Sequence, residues 1–462
     1  MTGTADALVV FGITGDLART KTLPALYDLT EQGVLTCPVI GVGRRPLRSE
    51  EMQEHARAAI EAAKAAKGAT LDRRILDAFL SRLSYVGGDA QDDELYEPLR
   101  SALKGSKLPV FYLAIPPASF LDTAEHLAHT GLFENARLVV EKPFGTDLFS
   151  ARELNRRLTA LVPEERLYRI DHFLGKEPVQ DILYLRFTNA LFEPVWSREQ
   201  VDSIQVTMAE DFGVDGRGAF YDGVGALRDV VQNHLLQVLA LVTMEPPSGD
   251  DDAVSRHRLD VFRSMPSIDP AHVVRGQYRG YEKVDGVQPG SDTETFVALR
   301  LVIENWRWAG VPVFVRAGKA LPVTATEIVV RLQQVPELRY GSHRLASPGF
   351  DDIVFRIGRD AGMTIDLFAK TPGKEETRGV SLDVSFVEEL GTSPGPYERL
   401  LTDALRGDTT LFPRWDVIEE TWRIVQPLLD SPPPVERYKP GTWGPASSNA
   451  LAAAYGGWRE PQ

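Results

Sequence analysis

Leu8-Val9-Val10-Phe11-Gly12-Ile13-Thr14-Gly15-Asp16-Leu17-Ala18 decides the fold of this chain. Four apolar residues run into a glycine, and a helical pattern then continues through Leu29. That outline is a strand, a tight glycine turn and a helix. Gly12 and Gly15 let the backbone approach a pyrophosphate, which the helix N-terminus stabilises, and Ala18 stands where a small residue permits close helix–strand packing. The pattern is G-x-x-G-x-x-A, looser than the usual dinucleotide fingerprint, and a plain strand–helix turn has the same outline.

Working outward, further short apolar runs follow. Pro38–Gly43, Leu83–Val86, Val110–Ile115 and Leu138–Val140 read as strands, with helical stretches between them, including the alanine-rich run Glu50–Lys67. Strand and helix in alternation predict a doubly wound parallel sheet. The end of the second strand reads Gly43-Arg44-Arg45, with no acid before Glu50. An acid there would hold the ribose hydroxyls of NAD, whereas arginine suits the 2′-phosphate of NADP. The reading is NADP, with Lys21 in a position to assist; a solvated loop is the ordinary alternative for paired arginines.

Composition bounds the rest. The chain has 462 residues, 43% hydrophobic and 25% charged, an ordinary globular composition long enough for two domains. A formal net charge of -14 argues against nucleic acid or an anionic membrane as the main partner. Cys37 is the single cysteine, so neither an internal disulfide nor a cysteine metal cluster is expected, and a reducing compartment fits. Met1 to Ala7 lack a basic region and a long apolar run, so no signal peptide is expected. No stretch reaches the ~18 apolar residues of a membrane span. The expected location is cytoplasmic.

A second informative stretch is Arg169-Ile170-Asp171-His172-Phe173-Leu174-Gly175-Lys176-Glu177, with Pro178 opening a helix just after it. A lysine beside a helix N-terminus suits an anion. A strand end followed by exposed charges is the plainer reading. In residues 227–241, a regular helix would put Leu227, Val231, His234, Val238 and Leu241 on one apolar stripe, which by itself suggests a core histidine. Asp229, five residues before His234, would lie roughly 140° away on an α-helix. Its spacing to Gln232 fits a capping box with Asp229 as N-cap.

Together these motifs resemble glucose-6-phosphate dehydrogenases. The resemblance runs through Gly12–Ala18, Glu141-Lys142-Pro143-Phe144-Gly145, Arg169–Glu177 and Arg228–Gln237. It continues through Val273-Val274-Arg275-Gly276-Gln277-Tyr278, Val311–Val313, Arg316-Ala317-Gly318-Lys319 and Trp443-Gly444-Pro445. It implies an α/β plus α+β architecture. An N-terminal Rossmann-type domain, residues 1–171, would precede a β+α substrate and dimerisation domain, residues 172–462, with a large mainly antiparallel sheet. Alternating stretches such as Glu327–Leu332 and Val380–Val387 suit that sheet. A homodimer or homotetramer is expected.

The implied activity is oxidation of the C1 hydroxyl of glucose 6-phosphate to the lactone with NADP, the first step of the oxidative pentose phosphate pathway. NAD is a weaker alternative and no metal is implied. The resemblance makes His234 the catalytic base and Asp171 the carboxylate that orients it. A carboxylate fixes a histidine's tautomer and stabilises its imidazolium, and α-helical geometry makes Asp229 a poor candidate for that task. His172 and Lys176 are assigned to the phosphate. Asp229, Glu210 and Lys319 are assigned to the sugar, with Lys142 between sugar and cofactor. For the cofactor it implies Gly12, Ile13, Thr14, Gly15, Asp16, Leu17, Ala18, Arg19, Arg44, Asp89, Tyr112 and Lys142. The isomer of the Lys142–Pro143 bond is open at this level.

Two departures fall at the substrate. Phe173 stands where the family commonly has tyrosine, and Thr324 where it has lysine or arginine. Losing one charge-assisted hydrogen bond costs about 1.5–3 kcal/mol. Asp211 replaces a common proline, a difference given no functional weight. The alternatives kept open are the same chemistry on another hexose or hexose phosphate, and a catalytically silent nucleotide-binding relative.

Overall fold

The structure, a computed structural model, describes residues 3–340, 343–358 and 360–461. The chain forms two compact units. The first contains the residues up to Lys176, with Gly249–Ser255 and Pro394–Ile418. The second contains Glu177–Ser248, Arg256–Ser393 and the chain from Glu419 onward.

The first unit is built on six parallel strands: β1 (Ala7–Phe11), β2 (Val39–Gly43), β3 (Leu83–Gly87), β4 (Pro109–Leu113), β5 (Arg137–Glu141) and β6 (Leu167–Ile170). Their order is β3-β2-β1-β4-β5-β6, the doubly wound arrangement that places helices on both faces. Successive side chains alternate between those faces. Leu8, Val10, Val110 and Val139 pack with the helices Leu23–Glu31 and Ser49–Ala66 on one side. Val9, Phe11, Phe111, Leu113 and Val140 pack with Phe120–His129 on the other. Burial on both faces is why β1 and the middle of β5 read as unbroken apolar runs.

The sequence reading divided the chain once, at 171/172, whereas the two units are interleaved. The helix Pro396–Arg406 returns to the first unit because Leu400, Leu401, Ala404 and Leu405 complete its core. Burying a leucine side chain is worth about 1.5–3 kcal/mol, so this helix belongs where its apolar stripe is covered.

The second unit carries β7 (Val201–Ala209), β8 (Val273–Tyr278), β9 (Phe296–Val302), β10 (Pro312–Gly318) and β11 (Ala325–Leu332). It continues with a hairpin, β12 (Leu338–Tyr340) and β13 (His343–Leu345), and then β14 (Asp352–Arg356), β15 (Gly362–Lys370), β16 (Thr377–Ser385) and β17 (Val435–Tyr438). Nine of these form one sheet in the order β16-β15-β14-β11-β7-β10-β9-β8-β17. Most neighbours are antiparallel; β7 with β10 and β8 with β17 are parallel. The strand expected over Val380–Val387 ends at Ser385, whose hydroxyl accepts from the Glu388 amide at 3.3 Å and so caps a short helix, Phe386–Leu390. No helix among the described residues is long and apolar enough to cross a membrane.

Candidate active site

Parallel strands end at one edge, and ligands of such sheets bind outside the carboxyl ends. Most of the residues expected to act in the first unit lie just past a strand end there: Gly12 after β1, Arg44 after β2, Asp89 past β3, Lys142 after β5, Asp171 and His172 after β6. Gly12 has φ 75°, and a Cβ on it would lie 2.3 Å from the Ala114 carbonyl oxygen. Only glycine fits, and the bare backbone is what a pyrophosphate needs. The turn closes with the Gly15 amide donating to the Gly12 carbonyl at 2.8 Å, and Ala18 is fully buried. Within that turn the Ile13 side chain is core, so it offers only its backbone, while Asp16 and Arg19 pair on the surface at 3.1 Å. Thr14 and Leu17 are half-buried.

Arg44 is exposed, on a loop that Tyr85 holds: its hydroxyl lies 2.7 Å from both the Gly43 and the Arg45 carbonyl oxygens. No local motif signals this support. Asp89 takes the Gln91 amide on one carboxylate oxygen at 3.2 Å, an Asx turn at the end of β3.

Tyr112 presents no side chain to a ligand. It lies inside β4, its side chain is fully buried, and its hydroxyl donates to Glu141 Oε1 at 2.6 Å. The strand's alternation turns it into the core and away from the ligand edge. Tyr397 bonds the same carboxylate. Burial pushes the Glu141 carboxyl up to about 7. Lys142 follows directly, through a cis bond to Pro143.

In the second motif, the Phe173 amide donates to Asp171 Oδ1 at 3.0 Å, and Asp171 itself is buried. The Phe173 ring is buried beneath the Lys176 ammonium, 3.5 Å from the ring centroid, with the His172 ring edge-on at 5.2 Å. The phenylalanine therefore supports both expected phosphate ligands by contact.

In the second unit the register does the assembly. β10 and β7 are parallel with Gly318 beside Ala209, so Lys319 and Glu210 leave the sheet side by side and form an ion pair. The Lys319 ammonium also lies 3.9 Å from Asp229 Oδ2 and 5.5 Å from the Tyr221 ring. Lys319 is 9% exposed. Burial first, then the Asp229 carboxylate, pushes the Tyr221 phenol well above its ordinary value, so it stays neutral. Ala320, the next residue, has φ 51°, an outlier of the kind concentrated at functional sites.

The helix that carries Asp229 departs from expectation. Leu227–Leu235 is π-helical, continuing as the α-helix Leu236–Thr243. Its N-cap is Ala226, so Asp229 sits in the first turn, and Gln232 bonds the Thr421 hydroxyl at 3.0 Å instead of closing a capping box. In a π-helix the hydrogen bonds run from i to i+5, which stacks residues five apart. Asp229 and His234 therefore share a face, against the α-helical reading. Every residue of Leu236–Thr243 is buried, including the polar Gln237 and Thr243, so the helix is covered all round rather than along a single stripe, and His234 is 1% exposed.

Two of the differences from the family, Thr324 and Asp211, form one pair. The Thr324 hydroxyl donates to Asp211 Oδ1, and the Asp211 amide donates to Thr324 Oγ1 at 3.1 Å. A proline at 211 has no amide proton to give.

A doubly wound sheet whose first turn admits only glycine, joined to a sheet that presents a buried lysine between carboxylates, defines a dinucleotide-dependent oxidoreductase of a polar, hydroxylated substrate. Residues 9–181 match the family described as glucose-6-phosphate dehydrogenase, NAD binding domain, and residues 183–459 match glucose-6-phosphate dehydrogenase, C-terminal domain. The chain belongs to the glucose-6-phosphate dehydrogenase family. It is 49% identical over 461 residues to glucose-6-phosphate 1-dehydrogenase 1 of Mycobacterium tuberculosis, covering 99% of this chain and 97% of that one. The crystal structure of glucose-6-phosphate 1-dehydrogenase from Mycobacterium avium superposes with a TM-score of 0.92 at 49% identity, covering 100% of this chain and 99% of that one. A glucose-6-phosphate dehydrogenase in complex with glucose 6-phosphate gives 0.90 at 35% identity, each chain covered in full at 100%.

Proposed function

We propose that the protein oxidises the C1 hydroxyl of D-glucose 6-phosphate to 6-phospho-D-glucono-1,5-lactone, with hydride transfer to NADP. The observation that carries this reading is the Glu210–Lys319–Asp229 cluster, in a chain whose relatives are named for that reaction. Carboxylates and an ammonium in one cluster suit sugar hydroxyls, which both donate and accept.

His234 takes the C1 hydroxyl proton and Asp171 orients its imidazole, roles that the family resemblance supports. His172 and Lys176 hold the phosphate. Lys142 serves sugar and cofactor. The Gly12 cradle and the exposed Arg44 fit a dinucleotide with a 2′-phosphate, and such a cofactor supplies the hydride acceptor. We propose further that the enzyme acts in the cytoplasm as a homodimer or homotetramer and needs no metal.

Steady-state NADP reduction with glucose 6-phosphate, glucose and other hexose phosphates tests the substrate. The highest kcat/KM is expected with glucose 6-phosphate; a higher value with another sugar refutes that assignment. The Asp211–Thr324 pair favours one second reading, the same chemistry on a sugar less dependent on its phosphate.

A further inference from the structure

The motif Val273–Tyr278 lies outside the residues assigned to sugar and cofactor. Its strand, β8, borders a short strap, residues 291–295. Gln277 donates to the Ser291 and Thr293 carbonyls at 3.1 and 2.9 Å. The Tyr278 amide donates to the Thr295 hydroxyl at 2.9 Å, and the Thr295 amide to the Gly276 carbonyl at 2.8 Å. Arg275 donates twice to Glu294 Oε2, at 2.8 and 3.2 Å, and is itself held by the Pro433 and Asp292 carbonyls.

Glu294 is 5% exposed, and its other oxygen, Oε1, accepts the Leu227 amide at 3.0 Å. Its backbone carbonyl accepts the Ala226 amide at 2.9 Å. It therefore supplies the cap that Ala226 cannot, satisfying two amides that begin the helix of Asp229 and His234. Its negative charge also suits the positive end of that helix. The next residue reaches the other half of the cluster: the Lys319 amide donates to the Thr295 carbonyl at 2.9 Å, and the Lys319 carbonyl accepts the Tyr438 hydroxyl at 2.6 Å. Gly225 leaves the carboxylate room, since a Cβ there would lie 2.5 Å from Glu294 Oε1.

We propose that Glu294, fixed by Arg275, is a positioning residue that sets the helix bearing Asp229 and His234 against Lys319. The proposal rests on His234 being the base. A misplacement of about 1 Å can cost a hundredfold in rate. Glu294→Ala should therefore lower kcat per folded enzyme by about tenfold to a hundredfold, with the dissociation constant of NADP unchanged. Glu294→Gln keeps an acceptor for the Leu227 amide and should recover most of the lost kcat.

A purely structural role would lower the melting temperature and leave kcat per folded enzyme intact, and that result overturns the proposal. Equal kcat losses in the Ala and Gln variants overturn it too. Should Glu294→Ala fail to fold, Gly225→Ala displaces the carboxylate without deleting it, and the same fall in kcat with unchanged NADP binding is expected. His234→Asn is assayed alongside. If it is inactive while Glu294→Ala and Gly225→Ala are fully active, only this inference falls; if it is active, the base assignment falls and the inference with it.

Discussion

Glu141 offers a measurable consequence of burying a carboxyl next to Lys142. Burial raises it from 4.5 to about 7, against the lowering effect of the Tyr112 and Tyr397 hydroxyls and of Lys142; Asp171 adds a smaller push upward. In the unfolded chain the same group titrates near its ordinary value. Between those two values the folded protein holds a proton that the unfolded chain has released, so unfolding free energy falls as pH rises. At 1.36 kcal/mol per unit, the span from 4.5 to about 7 amounts to about 3 kcal/mol, present in full below pH ~4.5 and lost by the time pH passes ~7. Glu141→Gln keeps the shape and an acceptor for Tyr112 and cannot ionise. Relative to wild type, it should gain about 2.5 kcal/mol of stability between pH 5 and pH 8. Denaturant unfolding of both proteins across that range measures the difference directly. A difference constant with pH would refute the raised ionisation, and a difference of opposite sign would mean that Lys142 holds the group charged.

Two further outcomes concern ligands. Arg44→Ala should raise KM for NADP about tenfold to a hundredfold, the worth of one charge-assisted hydrogen bond, and leave KM for NAD within a small factor; equal changes for both would refute the 2′-phosphate assignment. Thr324→Lys alone should change KM for glucose 6-phosphate little, because the Asp211 carboxylate takes the new ammonium, whereas Thr324→Lys with Asp211→Pro should lower it about tenfold. A single variant as effective as the double would show that Asp211 does not compete.

Much of the scaffold was legible, for identifiable reasons. Strands buried on both faces are mostly apolar, so β1, β2, β4 and the centre of β5 stand out in the sequence. Gly12 was legible because its backbone conformation excludes every other residue. What escaped was geometry that depends on distant partners. The π-helical winding of Leu227–Leu235 has no local composition that separates it from an α-helix, and its cap comes from Glu294, 67 residues away. Tyr112 was implied by the family resemblance, and the direction of its side chain follows from strand alternation. Asp211 and Thr324, 113 residues apart, became one feature only when β7 and β11 paired.

Each unit uses parallel neighbours to bring its candidate site residues together. In the six-stranded sheet, all carboxyl ends share one edge, and residues far apart in sequence collect there by default. The larger sheet is mostly antiparallel, an arrangement that sends adjacent strands out at opposite edges. At its centre, however, β7 and β10 run parallel, and Glu210 and Lys319 emerge together at that point. All of β10 is buried, so a slip of one residue in this pairing would exchange the side chains of its two packed faces, and the packing of the core protects the register. The Lys319 backbone is gripped on both sides, by Thr295 at its amide and Tyr438 at its carbonyl, and the chain leaves through Ala320 in a left-handed conformation. The Glu210–Lys319 pair is thus a product of sheet topology, and the strain at Ala320 lies where the chain must turn away from it.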